Sequence, residues 1–447
     1  MIAKLGQVCN RVAEAVVPDP FIFALLLTLV TLILGVALTP NSPASMVNHW
    51  MTGFWELLTF GMQMTLILVT GGVLAQSPPV RKLIDRVAGW PKSGGAAVML
   101  VAFAALTTAL INWGLGLIVG ALMARETARS LKARGIPHHY PLIGAAGYTG
   151  LMIWHGGLSG SAPLTVATAG HFLEKTIGII PVTQTTFGGL NLVITLAMLI
   201  ATPIFLRYMQ PKQRQNWVPI SMAADPKDSQ PLEEKRQGAR TLAQILDESR
   251  LLTILFCLMA FGYLGSLFYR KGLSGLDLNA INATFLFLGF LFYLRPIRYV
   301  QAVGESVQGA AGIILQFPFY AGIMGMMRDS GLVEVFSNVM VNISTPHTFT
   351  ALSFLSAGFV NLFVPSGGGQ WAVQGPILTA AAAKLNVSQP DTVMALAYGD
   401  QWTNMLQPFW ALPLLGITGL RARQIIGYSA AVMLLVGPII FLGLLIL

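Results

Sequence analysis

Residues 361–376 read NLFVPSGGGQWAVQGP. A proline, a serine and three successive glycines interrupt a stretch otherwise apolar enough for a membrane. Non-helical backbone at membrane depth is tolerated only where protein buries it or water lines it. A glycine run there offers its N–H and C=O groups to something other than the chain's own helix. Helix N-termini carry partial positive charge and free N–H groups that suit a carboxylate, while unwound carbonyls suit a cation. The PSGGG run is therefore read as freeing backbone groups near the midplane to hold a small anion. Close helix packing is the competing reading, but a GxxxG spacing would serve it without the proline.

The rest of the chain supports a membrane setting. Its 447 residues are 54% hydrophobic and 10% charged, with mean hydropathy +0.67, whereas a soluble domain carries roughly 25% charged residues. Of the 45 charged residues (27 Lys and Arg plus 18 Asp and Glu), 12 lie within 210–249, leaving 33 for the other 407 positions. This pattern indicates an all-α polytopic membrane protein with one hydrophilic connector. The basic residues are scattered between apolar runs, which fits the lipid bilayer as partner and excludes nucleic acid. Cys9 and Cys257 form no disulfide framework or metal pattern. The apolar run 21–39 is followed by no small-x-small cleavage site and is read as a retained first span.

Apolar runs long enough to cross about 30 Å of hydrocarbon occur near 21–39, 57–76, 140–160, 187–206, 251–269, 306–327, 392–413 and 424–447, with a shorter one at 280–294. Two segments, 95–124 and 349–383, are too long for one span and carry breakers at their centres. Arg81, Lys82, Arg86 and Lys92 precede the first, and Arg125, Arg129, Lys132 and Arg134 follow it. Both ends thus favour the cytoplasm, and arms of about 15 residues are too short to cross twice. A re-entrant hairpin turning near NWGLG at 112–116 satisfies both constraints. With the N-terminus cytoplasmic, the second hairpin enters from the opposite face and turns near residues 365–369. This gives about nine transmembrane helices and two re-entrant hairpins.

The two halves echo each other. Asn112 and Asn361 recur at a spacing of 249, Tyr148 and Tyr398 at 250, and Ser77 and Ser330 at 253. With nine crossings the paired elements run in opposite directions, an inverted repeat. The expected organisation is a first membrane repeat over 1–209, a cytoplasmic linker over 210–249 read as a passive tether, and a second repeat over 250–447.

Each hairpin is followed by a second interrupted apolar segment, WHGGLSGSAP at 154–163 and YGDQWTNMLQPFWALP at 398–413. Four broken elements in two symmetric pairs should build one central site. Its substrate-binding candidates at the hairpin tips are Asn112, Gly114, Gly116, Asn361, Ser366, Gly367, Gly368 and Gly369. Ser159, Ser161, Gln370, Gln401, Asn404 and Gln407 add neutral hydrogen-bond donors, though any one of them could equally be interhelical glue. Asp400 is the one acid placed deep in the second half, where a charge costs roughly 2.5–3.5 kcal/mol. A proton or a sodium ion near Asn361 and Asp400 would offset that cost, so Asp400 is the coupling-ion candidate. His155 could carry a proton near neutral pH or be scaffolding. Trp113, Trp154, Trp371, Trp402 and Trp410 could wall an apolar pocket or anchor the chain at the interface. A hydrolytic trio of Ser159, His155 and Asp400 lacks a GxSxG or HExxH pattern, and the symmetry sets its members apart. No Walker A motif is present.

At these residues the sequence resembles the bacterial short-chain fatty acid uptake transporters, the acetoacetate and butyrate carriers. The resemblance covers nearly the whole chain through PDPFIFALLLTL at 18–29, GFWELLTFGMQM at 53–64, INWGLGLIVGA at 111–121, ILQFPFYAGI at 314–323, VPSGGGQWAVQGP at 364–376 and QWTNMLQPFWALP at 401–413. It implies a secondary carrier, not an enzyme, in the bacterial inner membrane, with H+ or Na+ as coupling ion and no other cofactor. The motif positions carried over are Asn112, Gly114 to Gly116, Pro365 to Gln370, and Asp400 to Gln407. A broader similarity to carriers with paired re-entrant hairpins implies a domain sliding against a scaffold, and a homodimer. No arginine sits at a broken helix to clamp a second carboxylate, which favours monocarboxylates over the alternative of dicarboxylates or other organic anions. Each buried CH₂ of a short acyl tail would contribute about 0.8 kcal/mol.

Overall fold

The computed structural model describes residues 20–211, 217–220, 241–362 and 366–446, and every regular element among them is helical. Helices satisfy their own backbone, which lipid requires. Where the chain restarts after a break, a polar side chain caps the new helix. Ser93 accepts from Ala96 N, Asn112 from Leu115 N, Asp277 from Ala280 N and Ser388 from Asp391 N, filling amides left free by the first turn.

Six helices among the described residues are long and apolar enough to cross a membrane: Leu58–Gln76, Gly94–Ile111, Gly189–Tyr208, Arg250–Lys271, Ala422–Ile446 and the run Pro296–Ser330. Shorter apolar helices include Leu278–Tyr293 and Phe349–Asn361. Faces turned away from the interior remain apolar: Leu258 is 65% and Met259 70% exposed on Arg250–Lys271. Such residues face lipid tails at no cost, since the tails are as apolar as leucine.

Both proposed hairpins form, but the first has longer arms than the sequence reading gave it. Gly94–Ile111 and Trp113–Ala133 have 18 and 21 residues, about 27 and 32 Å at 1.5 Å per residue. Arms of that length could each span about 30 Å of hydrocarbon, contrary to the expected length of about 15 residues per arm. The antiparallel return itself is clear, because a Cβ on Gly116 would lie 2.5 Å from Ala109 and one on Gly120 would lie 3.1 Å from Ala105. In the second hairpin Phe349–Asn361 and Gly367–Leu385 are joined by Gln370 Nε2 donating to the Ala357 carbonyl at 2.8 Å. Its turn at 363–365, Pro365 included, lies outside the described residues.

Three apolar runs are not single spans. The run at 140–160 ends its α-helix at Tyr148 and continues as short 3₁₀ turns, Thr149–Met152 and Trp154–Gly156, before Ser161–Ala167. The run at 392–413 breaks between Thr403 and Pro408. The helix Ala311–Ser330 is preceded by a 3₁₀ turn, Val307–Ala310, and by Pro296–Ser306, a discontinuity the apolar pattern hides.

The linker is more than a tether where it is described. Tyr140 N donates to Val218 O at 2.8 Å, Val218 N to His139 Nδ1 at 3.1 Å, and Lys132 Nζ to Ile220 O at 2.9 Å. Residues 217–220 are thereby pinned to the base of the first hairpin. Residues 212–216 and 221–240 lie outside the described residues.

Candidate functional site

At the tip of the first hairpin one extended residue, Asn112 (φ −156°, ψ 129°), separates the arms. Its Oδ1 accepts from Leu115 N at 2.9 Å and its Nδ2 donates to Ile67 O at 3.1 Å, fixing the tip to Leu58–Gln76. The Trp113 amide donates to Ser159 Oγ at 2.9 Å. Gly114 passes so close to Leu68 that an added Cβ would lie 2.9 Å from its carbonyl oxygen.

The second tip starts the helix Gly367–Leu385. Ser366 Oγ accepts from Gly369 N at 3.3 Å and Ser366 O from Gln370 N at 2.7 Å. The N–H groups of Gly367 and Gly368 have no partner among the described residues. Glycine is required here by space. A Cβ on Gly367 would strike the His155 ring, one on Gly368 would lie 3.0 Å from Phe60 and 3.1 Å from Phe317, and one on Gly369 would lie 2.5 Å from Tyr320.

The interrupted segments cross beside these tips. His155 N donates to Gln401 Oε1 at 3.0 Å, joining the break of one half to that of the other. His155 Nε2 lies 3.1 Å from Asp400 Oδ1, with both side chains buried. That contact lacks hydrogen-bond geometry, so both ring nitrogens and both carboxylate oxygens are without a directed partner among the described residues. Asn361 Nδ2 donates to the Asp400 carbonyl at 2.7 Å and to Thr403 Oγ1 at 2.9 Å, and Gln407 Nε2 donates to the Asn361 carbonyl.

Between the four broken elements lies a narrow, partly open cleft whose cavity volume is only about 30 Å³, so that it must widen to admit a carboxylate with its tail. The tips contribute Trp113, Ser366, Gly367 and Gly368, and the breaks contribute Leu151, Trp154, Ser161, Asn404 and Trp410. The three tryptophans form a connected wall, with ring centroids 5.7 Å apart for Trp113–Trp154 and 5.3 Å for Trp113–Trp410. Turning the Asn404 amide so that its oxygen meets the Trp154 indole N–H at 3.2 Å gives both of its ends partners. Among the described residues no charged side chain lines it. Chemically it is an apolar slot with two amides at a helix N-terminus that have no partner among the described residues, next to one buried acid and one buried imidazole.

Of the expected site residues, Ser161, Ser366, Gly367, Gly368 and Asn404 reach the cleft. Asn112, Asn361, Ser159, Gln401 and Gln407 are instead spent holding the broken backbone in place. Gln370 binds Ala357 O and Gln374 Oε1, and Gly114 and Gly116 serve close packing. Trp371 packs toward Phe172, and Trp402 donates Nε1 to Met433 O and stacks near Phe354, so neither lines the cleft. The expected separation of His155 from Asp400 is overturned by their contact. Ser159 gives no hydrolytic trio, because its hydroxyl accepts from Trp113 N. Sequence reading missed Met64, Ile313 and Phe317, which close the cleft from unbroken stretches of helix. Pro318, inside Ala311–Ser330, is the one local signal that this helix is special.

Comparison with known proteins places the chain. The family model described as short chain fatty acid transporter matches residues 1–447. The "Putative short-chain fatty acid transporter" of Escherichia coli (strain K12) is 41% identical over 447 residues, covering 99% of each chain. The protein of the same name from Haemophilus influenzae is 40% identical over 453 residues, again covering 99% of each. Among solved structures the fold is similar to the Alcanivorax borkumensis YdaH transporter, with TM-score 0.58 and 18% identity over 96% of this chain and 97% of that one. These relatives are transporters, not enzymes.

Proposed function

The chain belongs to the short-chain fatty acid transporter family, and from that premise we propose that it is a secondary carrier for butyrate, acetoacetate and similar monocarboxylates. It takes them up through the bacterial inner membrane by symport with H+ or Na+ and alternating access.

The observation that carries this reading is the cleft between two hairpin tips and two breaks. The substrate carboxylate accepts hydrogen bonds from the free amides of Gly367 and Gly368, where the helix dipole adds attraction. Ser161 supplies a neutral hydroxyl at its side. The acyl tail lies on the wall of Trp113, Trp154 and Trp410. Because the lining has no lysine or arginine, a second carboxylate would be buried uncompensated, which disfavours the alternative of dicarboxylates. Asp400 and His155 take the coupling cation.

The inverted-repeat reading, with repeats over 1–209 and 250–447 and hairpins entering from opposite faces, is supported by a reciprocal tie. Tyr148 donates to the carbonyls of the break at 404–407, while Tyr398 donates to Asn191, whose Nδ2 donates to the Gly156 carbonyl in the other break. The cytoplasmic N-terminus and a homodimeric assembly belong to the same reading.

Counterflow tests it. Proteoliposomes loaded with unlabelled butyrate should exchange labelled butyrate faster than protein-free vesicles, whose passive leak sets the baseline. Unlabelled acetoacetate should compete and succinate should not. Exchange no faster than the leak, or equal competition by succinate, would overturn the assignment.

A further inference from the structure

Resting on this transport reading, we propose that the coupling ion is a proton. It is held by the His155–Asp400 pair and linked one for one to the carboxylate at the Gly367 helix end.

The first support is an incomplete hydrogen-bond count. Buried polar atoms are ordinarily paired, yet both ring nitrogens of His155 and both carboxylate oxygens of Asp400 are unpartnered among the described residues while Nε2 and Oδ1 stand 3.1 Å apart. A neutral imidazole has one N–H donor and one acceptor nitrogen, and an ionised carboxylate has only acceptors. An added proton makes both ring nitrogens donors, and a small turn of the ring then gives the 3.1 Å contact the form of a charge-assisted hydrogen bond.

The second support is that the surroundings suit a proton and not a metal ion. A hard cation takes several oxygen ligands. Here the carboxylate faces an imidazole, Asn361 Nδ2 donates to the Asp400 carbonyl and the Thr403 hydroxyl, Asn361 Oδ1 is the unpartnered oxygen its amide leaves, and Asp400 is the only acid among the buried residues described. A Cβ on Gly367 would strike the ring, so the helix end lies close beside it. Of the other titratable groups on the packed elements, Tyr148, Tyr320 and Tyr398 are buried with hydroxyls bonded elsewhere, to Asn404 and Gln407, Gln316 and Asn191 respectively, whereas Lys384, Asp391, Arg423 and Tyr428 are at least partly exposed. His155 is the only basic group within ion-pair distance of Asp400 among the described residues.

The third support is position. The positive end of the helix Gly367–Leu385 abuts the His155 ring. A charge on the ring and the helix end repel each other, and a carboxylate at Gly367 and Gly368 relieves that repulsion. Proton and carboxylate therefore favour each other's binding, equally in both directions. Charge also balances. One proton and one substrate anion together add no net charge, so empty and loaded carriers carry the same charge and each cycle moves one proton with one anion.

Calorimetric titration of the purified full chain with sodium-free butyrate, in two buffers of different ionisation enthalpy, counts the protons taken up. About one proton per butyrate is expected, with affinity weakening up to about tenfold per pH unit on the alkaline side and no effect of added sodium. In Asp400→Asn and His155→Gln the proton count should fall to about zero, and the residual affinity should lose its pH dependence. A wild-type proton count near zero, or affinity that rises with sodium, would overturn the proposal whether or not the variants fold. Absence of any butyrate heat at every pH would instead overturn the transport reading beneath it.

Discussion

The hydroxyl of Tyr148 donates to the carbonyl of Asn404 at 2.9 Å, joining the helix before one break to the backbone of the other. The same hydroxyl lies 2.8 Å from the Gln407 carbonyl, so its one proton is shared between two carbonyls of an unwound segment, of which Asn404 O also accepts from Gln407 N at 3.1 Å. Tyr148→Phe should take the hydroxyl from both and leave Gln407 O the worse off, at a cost of about 1–3 kcal/mol. A lowered melting temperature in detergent checks this, and an unchanged one would show that water replaces the hydroxyl.

Gly367 has no space for a methyl group, because the His155 ring fills its Cβ position. Gly367→Ala should therefore push the helix end away from His155 and cut butyrate counterflow at least about tenfold, a cost of about 1.4 kcal/mol. Gly262, with nothing within 4 Å of an added Cβ, is the control: Gly262→Ala should leave counterflow intact. Equal rates in the two variants would mean that contact with His155 does not matter.

Trp113 touches both other tryptophans of the wall. Trp113→Leu should reduce the gain in affinity from acetate to butyrate, which is about 0.8 kcal/mol for each CH₂ fully buried. Competition constants for acetate, propionate and butyrate against labelled butyrate measure that slope. A slope identical to wild type would place the tail elsewhere.

Burial, with a smaller contribution from neighbouring His138, lowers the His139 pKa to about 4 from its ordinary 6.5. Its Nδ1 must stay unprotonated to accept from Val218 N. A base whose folded pKa is depressed loses stability as pH falls. The dock of 217–220 should therefore loosen progressively from pH 6.5 toward 4. Hydrogen exchange at the Val218 amide, corrected for intrinsic rates, should rise over that window in the wild type, and in His139→Gln it should not depend on pH. The same pH dependence in both would remove His139 as the cause.

What the sequence made legible is what local backbone demands dictate. Asn112, Ser366 and the glycines mark the tips because capping and close approach need those residue types wherever they fold. The breaks after Tyr148 and Thr403 announce themselves by polar and helix-breaking residues in apolar surroundings. The His155–Asp400 contact was not legible, since it is set by how two distant segments cross. Nor could composition separate Trp113, Trp154 and Trp410 from Trp371 and Trp402, because only the helix face decides which of them meets the cleft. Met64, Ile313 and Phe317 sit in apolar stretches where a residue facing the cleft reads like one facing lipid. The arms of the first hairpin were underestimated chiefly because the basic stretch through Ala133 continues the second helix, while Ser93 caps the first only one residue before the expected start.

The most direct test is to locate the anion. Anomalous diffraction from crystals of the protein with 4-bromobutyrate should place the carboxylate within hydrogen-bond distance of the Gly367 and Gly368 amides and the bromine among Trp113, Trp154 and Trp410. Bromine density outside this cleft, or a carboxylate bound away from the second hairpin tip, would contradict the account.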